Sequence, residues 1–270
     1  MSHLNVLIPT YARPAALAVT LTSLCAQTYR SFDVVISDQS ERFDVVATPE
    51  VQAPIRVLRA HGHQITLHKH LPRRGLAEQR QFLLDRSKAP YVLFLDDDVI
   101  LESDLIERLY RVIEEQKCGF VGSALLGLSY IGDVRPWQET IEFWDGPVTP
   151  ETIQPGDKQW IRHQLHNAAN LYHLQNRLGL TAATQRLYRV AWVGGCALFH
   201  ARKLRDVGGF GFWKQLPAEH CGEDVLAQLR VMARYGGCAI IPSGVYHQEL
   251  TTTVTSREID APRILREKRC

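Results

Sequence analysis

The chain alternates short apolar runs with longer stretches in which apolar residues recur at helical spacing. Residues 4–9 form a compact apolar run, long enough for a buried strand and too short for a helix. Pro14 then stands where a helix can open, because its missing N–H falls among first-turn amides that lack an intrahelical partner. Leu17, Ala18, Leu21, Leu24 and Cys25 follow as one apolar stripe of helical period. A second strand is expected over 32–36, ending at Ser37-Asp38, and a third over 55–58. Leu76, Ala77, Arg80, Leu83 and Leu84 repeat the helical stripe, with an arginine set inside it. Residues 91–95 are wholly apolar, the pattern of a strand buried on both faces, and Leu105 to Ile113 give another helix.

Strands alternating with helices of this length predict βαβ units and an α/β fold with a mainly parallel sheet flanked by helices. The rhythm breaks over residues 124–190, which hold Trp137, Trp144 and Trp160 and several prolines, with a helix expected over about 157–178. Regular elements resume over 187–199, and a last clear helix opens near Gly222 with Val225, Leu226, Leu229, Met232 and Ala233 as its stripe. The expected organisation is one domain in two halves, residues 1–123 and 124–250, followed by a tail over 251–270.

Composition narrows the reading. The 270 residues carry 31 Lys+Arg against 29 Asp+Glu, a formal charge of +2, which gives no electrostatic footprint for nucleic acid. No run approaches the ~20 apolar residues of a spanning helix, and the first residues lack a charged segment followed by an apolar one. The expectation is a soluble, cytoplasmic protein with free thiols. Its 6 cysteines are scattered without a C-x-x-C pair. The tail over 263–269 is basic, so membrane contact is expected to be peripheral at most.

Within that balance one local excess stands out. Asp96-Asp97-Asp98 follow the apolar run 91–95, and parallel sheets bind ligands at the carboxyl ends of their strands. Adjacent carboxylates there call for a cation, and oxygen ligands favour Mg²⁺ or Mn²⁺. Asp38 ends an earlier strand. Glu223-Asp224 open the last helix, where the dipole stabilises a carboxylate that could act as a general base, or simply caps the helix. Arg80 is expected either to reach solvent by its stem or to pair with a carboxylate or phosphate. His61, His63, His68 and His70 have an alternating spacing that could grip a metal on a strand, against the simpler reading of a solvated loop. Neither G-x-G-x-x-G nor a P-loop is present, so any phosphates require another cradle.

In order along the chain these segments resemble glycosyltransferase family 2. The resemblance rests on Val6 to Tyr11 with Arg13-Pro14, on Val34 to Ser40, on Arg74-Gly75-Leu76-Ala77 through Arg80, and on Phe94 to Asp98. It continues through Val193-Gly194-Gly195 to Phe199, Val207 to Phe210, and Gly222-Glu223-Asp224 with Arg230. Gln39 departs from the family pattern, which has a second aspartate or a glycine there. The resemblance implies a GT-A fold with an acceptor-side insertion. It further implies an inverting, metal-dependent transfer of one sugar from a nucleotide-diphosphate donor, most often UDP, to a hydroxyl of a saccharide or glycoconjugate.

On that resemblance Asp224 is the base and Glu223 its support. Pro9, Tyr11, Arg13, Asp38, Arg74, Arg80, Asp96 and Asp97 contact the donor, with Asp38 reading its base. Asp98, Asp96 and His247 hold Mn²⁺ or Mg²⁺. Gly194 and Gly195 face the acceptor; apart from the resemblance, Trp137, Trp144, Trp160 and Trp192 are candidates for the acceptor subsite, because sugar rings stack on aromatic faces, or else pack as hydrophobic side chains. The rivals are a sugar-1-phosphate nucleotidyltransferase, which would carry a glycine-rich first loop, and a non-catalytic nucleotide-sugar-binding module. The oligomeric state is left open.

Overall fold

The computed structural model describes residues 3–254 and 257–265; the basic residues beyond 265 and Cys270 lie outside them. The element order is β1 (Leu4–Thr10), α1 (Pro14–Cys25), β2 (Phe32–Asp38), α2 (Pro49–Ala60), β3 (Ile65–Lys69), α3 (Leu76–Arg86), β4 (Tyr91–Leu95), β5 (Val99–Leu101), α4 (Leu105–Gln116) and β6 (Phe120–Gly122). It continues with α5 (Asn170–Arg177), β7 (Arg186–Tyr188), β8 (Cys196–His200), α6 (Ala201–Asp206), α7 (Glu223–Tyr235), β9 (Gly237–Ile241), β10 (Val245–His247) and α8 (Ala261–Ile264).

An 8-stranded sheet runs β3-β2-β1-β4-β8-β6-β9-β7, and β5 and β10 form a separate antiparallel ribbon. The pairs from β3 to β4 are parallel, and β8 enters antiparallel between β4 and β6. Strands from both halves of the chain therefore share one sheet. Side-chain alternation divides the core in two. Leu4, Val6, Ile8, Leu93 and Leu95 pack under α1, α2 and α4, while Leu7, Val92 and Phe94 pack against α3, α6 and α7. Among the described residues no helix is long and apolar enough to cross a membrane.

Three segments differ from the sequence expectation. Residues 55–58 are not a strand but the last turns of α2, whose Val51, Pro54, Ile55 and Leu58 are buried at helical spacing. A four-residue apolar run fits either period, and the opening Pro49 was the helical signal. The third strand is instead β3, within the segment read as a histidine loop. His68 lies on it, and His63 is buried with Nδ1 2.7 Å from the Phe32 carbonyl. The helix expected over 157–178 is a 3-10 segment, Lys158–His166, followed by α5. Asn167 to Ala169 break it, and Ala168 takes φ 47, a left-handed conformation that cannot continue a right-handed helix.

The described cysteines are all free; Cys118, Cys196 and Cys238 are buried, and Cys25 and Cys221 are partly exposed. The segment read as a tail is anchored. Cys221 and Asp260 form a β-bridge, and a Cβ on Gly222 would meet Asp260 Oδ1 at 2.6 Å and Pro262 Cδ at 2.9 Å. Gly222 thus permits close packing of the chain around α8.

Candidate active site

The carboxyl ends of β1, β2 and β4 open on a cavity of about 530 Å³, lined by Pro9, Thr10, Tyr11, Arg13, Gln39, Asp96, Asp97, Asp98 and His247 among others. A second, small cavity is lined by Arg80, Gly195, Asp224 and Gln228. Asp96 joins the two. It borders the first cavity and accepts a bond from Arg80, which borders the second, at 3.0 Å.

Arg80 is 3% exposed. Its Nε donates to Glu223 Oε1 at 3.0 Å, so one guanidinium spans the acidic runs at the end of β4 and the start of α7. The alternative of a solvent-reaching stem is thereby excluded. Burial opposes the Arg80 charge, but Asp96, Glu223 and Asp224 outweigh it and hold the group above its ordinary pKa. Burial raises Glu223. Burial, and next the charge of Glu223, push Asp224 up to about 7. A partly exposed carboxyl with that pKa is suited to take up a proton near neutrality.

Gly195 positions Asp96 by backbone. Its carbonyl accepts from the Asp96 N–H at 2.9 Å. At φ +72, a Cβ there would lie 2.5 Å from Leu125 Cδ1 and 3.0 Å from Asp96 Oδ2. Gly194 faces open space.

The three aspartates behave differently. Asp97 is buried and accepts from Thr10 Oγ1 at 2.6 Å; burial, reinforced by Asp98, pushes it up to about 7. Asp98 lies 2.5 Å from Arg13 Nη1 and 3.5 Å from His247 Nε2. Burial opposes its charge, but His247 and Arg13 hold it below the usual carboxylate range. The Asp98 contact raises His247 in turn. His247 Nδ1 accepts the Glu249 N–H at 3.0 Å, so Nε2 carries the proton toward Asp98. Among the described residues no three His, Cys, Asp or Glu side chains form a ready-made metal cage. The set nevertheless fits a hard divalent cation. Asp96 and Asp98 supply two carboxylates on the cavity wall, and Mg²⁺ typically takes about one or two carboxylates with substrate phosphates. His247, on the same cavity wall, contacts Asp98 through Nε2, while its Nδ1 accepts from Glu249.

Other sequence expectations are redistributed. Arg74 is exposed and does not line the cavity, whereas Arg73 does, with its Cζ 4.1 Å from the Tyr11 ring centroid. Asp38 is buried behind the wall. None of Trp137, Trp144, Trp160 and Trp192 lines either cavity. Trp137 is 72% exposed. Arg189 covers the Trp144 ring at 3.6 Å. Trp160 and Trp192 pair at 4.6 Å, and His163 stacks on Trp192 at 4.8 Å.

Sequence reasoning missed His220, which lines the main cavity, and Thr252, Thr253, Val254 and Arg257, which close one side of it. His220 Nε2 accepts the Ala77 N–H at 3.1 Å at the start of α3, and its Nδ1 meets the Pro217 carbonyl at 2.7 Å. No local periodicity marks those positions.

Known proteins share this framework. The sequence profile described as Glycosyl transferase family 2 matches residues 5–180. An uncharacterized glycosyltransferase of Haemophilus influenzae is 32% identical over 112 residues, 42% of this chain and 35% of that protein. The succinoglycan biosynthesis protein ExoM of Rhizobium meliloti is 28% identical over 158 residues, 57% of this chain and 44% of that protein. The matches thus span less than half the length of these relatives. Among solved structures, S. aureus TarS 1–349 in complex with UDP-GlcNAc aligns over 94% of this chain and 60% of its own, with TM-score 0.55 and 14% identity. The mannosyltransferase PcManGT from Pyrobaculum calidifontis, in complex with GDP-Man and Mn²⁺, aligns over 93% of this chain and 58% of its own, with TM-score 0.57 and 16% identity. At those identities the likeness is one of fold, the GT-A arrangement of a mostly parallel sheet flanked by helices.

Proposed function

The chain belongs to glycosyl transferase family 2, and from that premise we propose that it transfers a sugar from a nucleoside-diphosphate donor to a hydroxyl of a saccharide or glycoconjugate, with inversion. The observation that carries this reading is the Arg80 bridge. It fixes Asp96, on the wall of a cavity large enough for a nucleotide sugar, beside Glu223 and therefore beside Asp224.

The donor lies in the main cavity, its nucleoside beside Tyr11 and Arg73 and its diphosphate toward Asp96 and Asp98. Arg13 already neutralises Asp98 and can turn to the phosphates. Asp96 and Asp98 would hold Mn²⁺ or Mg²⁺ together with the diphosphate, and such an ion, when bound, stabilises the negative charge of the leaving group. Arg80 pairs with both Asp96 and Glu223 and holds them in place in a buried setting, so little reorganisation is required as charge moves. Asp224, with its carboxyl pushed up to about 7, accepts the proton of the attacking hydroxyl. The hydroxyl oxygen forms the new bond at the anomeric carbon, the bond to the diphosphate oxygen breaks, and in-line attack inverts that carbon.

The acceptor approaches past Gly194 and Gly195, which leave the backbone bare beside Asp96. Trp192 adjoins them in sequence, but its ring is paired with Trp160 and stacked by His163. Trp137 is free to offer an aromatic face to a sugar ring, whereas the Trp144 ring is taken up by Arg189.

A panel of nucleotide sugars with Mn²⁺ and simple saccharide acceptors, scored by released nucleoside diphosphate and by NMR of the product anomer, tests the reading. Release of nucleoside diphosphate with an inverted anomer is the expected result. Release of pyrophosphate, or retention of configuration, overturns it.

A further inference from the structure

We infer that Gln228 is a positioning residue for the acceptor: it ties the Gly194-Gly195 turn to the helix that carries Asp224, and so favours a saccharide hydroxyl over water at that base. The inference rests on the sugar-transfer reading above and deepens it.

The turn is held in a specific way. Val193 is 0% exposed and lies between β7 and β8, outside both strands. Its buried N–H and C=O therefore need partners other than a neighbouring strand. Gln228, itself 1% exposed, supplies both. Its Oε1 accepts the Val193 N–H at 2.8 Å, and its Nε2 donates to the Val193 carbonyl at 2.7 Å. A carboxamide carries both a donor and an acceptor, so the two bonds together fix its orientation and stand in for a strand edge. Two residues on, the chain reverses. The Cys196 N–H bonds the Gly194 carbonyl at 2.9 Å around Gly195, whose φ is +72. That is a γ-turn of the rare positive-φ form, which is strained and persists where its surroundings secure it. One anchor is the Gln228 clamp. The other is the Gly195 carbonyl, which accepts the Asp96 N–H at 2.9 Å.

These bonds close a ring. Asp96 accepts from Arg80, Arg80 donates to Glu223, and Glu223 shares α7 with Gln228. Asp224 stands four residues before Gln228 on that helix, and residues four apart lie on one helix face. Both line the small cavity with Gly195. One helix turn thus sets the distance from the base to the glycine backbone that the acceptor passes. Water needs no wall to reach Asp224, whereas a saccharide must be held in register by the surface it crosses. Loosening the clamp therefore lowers transfer more than it lowers hydrolysis of the donor.

The ratio of transfer to donor hydrolysis reads this, because the two reactions share the donor site and the base. It is measured on the full chain with Mn²⁺, the nucleotide sugar that the panel above selects and methyl glycosides as acceptors. Hydrolysis is scored as free sugar and transfer as glycosylated product. Gln228→Met keeps the bulk and removes both bonds. The ratio should fall about ten-fold, through a raised KM for the acceptor, with donor affinity unchanged. Gln228→Glu leaves the Val193 carbonyl facing an acceptor, and the ratio should fall about three-fold or more. This second variant decides the matter alone if Gln228→Met does not fold. A ratio that does not fall, even with a loss of thermal stability, shows that Gln228 only holds the fold; it overturns the inference and leaves the transfer reading intact. If the unmodified chain releases nucleoside diphosphate from no donor, that reading falls and the inference with it.

Discussion

Arg80 and Glu223 lie far apart in the sequence and meet as a buried ion pair, Nε to Oε1 at 3.0 Å. The same guanidinium reaches Asp96, so replacing it removes the charge that balances two carboxylates at once. Arg80→Met should destabilise the chain by about 3–5 kcal/mol, because a buried charge left without its partner is costly. Arg80→Lys should recover part of that, since it restores charge without the two-pronged geometry. Urea denaturation of both variants checks the order; equal stability of Arg80→Met and the unmodified chain would contradict it.

Asp224→Asn keeps shape and removes basicity. Transfer should fall about 10²- to 10⁴-fold, the usual contribution of a general base, with nucleoside diphosphate affinity unchanged. Turnover and calorimetry on the same preparation separate the two effects. Retained turnover would remove Asp224 from the base role.

Because burial and Glu223 push Asp224 up to about 7, it is largely protonated below that pH. The rate should therefore drop about ten-fold per pH unit on the acid side, with a midpoint near 7. Stability carries the opposite sign. Asp97 is also raised, from 3.8 to about 7, so the folded state holds its proton longer than the unfolded one. Its favourable contribution is full below the unfolded value and is lost as pH rises through about 7. Asp97→Asn should accordingly gain in melting temperature, relative to the unmodified chain, between pH 5 and pH 8. A gain in the opposite direction would contradict the assignment.

Gly195→Ala places a methyl group 2.5 Å from Leu125 Cδ1 and 3.0 Å from Asp96 Oδ2 at φ +72. The strained backbone alone should cost about 1–3 kcal/mol. Displacement of Asp96 should lower transfer more than Gly194→Ala does, since Gly194 has open space around it. Turnover of the two variants side by side is the measurement.

Asp98→Asn should weaken nucleoside diphosphate binding in the presence of Mn²⁺ and lose most of the difference between Mn²⁺ and a chelator. Titration with and without EDTA reads this directly. An undiminished Mn²⁺ effect would place the cation elsewhere.

The order of strands and helices and the acidic runs at strand ends could be read from the sequence, because burial on a regular backbone imposes a local period. Residues 91–95 followed by three aspartates needed no distant information. Failures came where one pattern suits two structures, as over 55–58, or where a backbone break such as Ala168 interrupts an otherwise helical pattern. The motifs of family 2 marked Asp98, Gly195 and Asp224, and the fold brings each of them to the wall of one of the two cavities. They did not distinguish Arg73, which lines the cavity, from Arg74, which does not, because adjacent residues differ only in which way they point.

By itself, then, the sequence determined the α/β framework, the family, and the acidic chemistry at the ends of its strands. Only the tertiary structure decided which of those acids remain available. Asp38 is exhausted by Ser40, Val45 and Lys69, Asp98 is shared between Arg13 and His247, and Asp96 and Glu223 are joined through Arg80. Most of those partners come from distant strands and loops, and a hydrogen bond depends on distance and direction in space, which local periodicity does not encode.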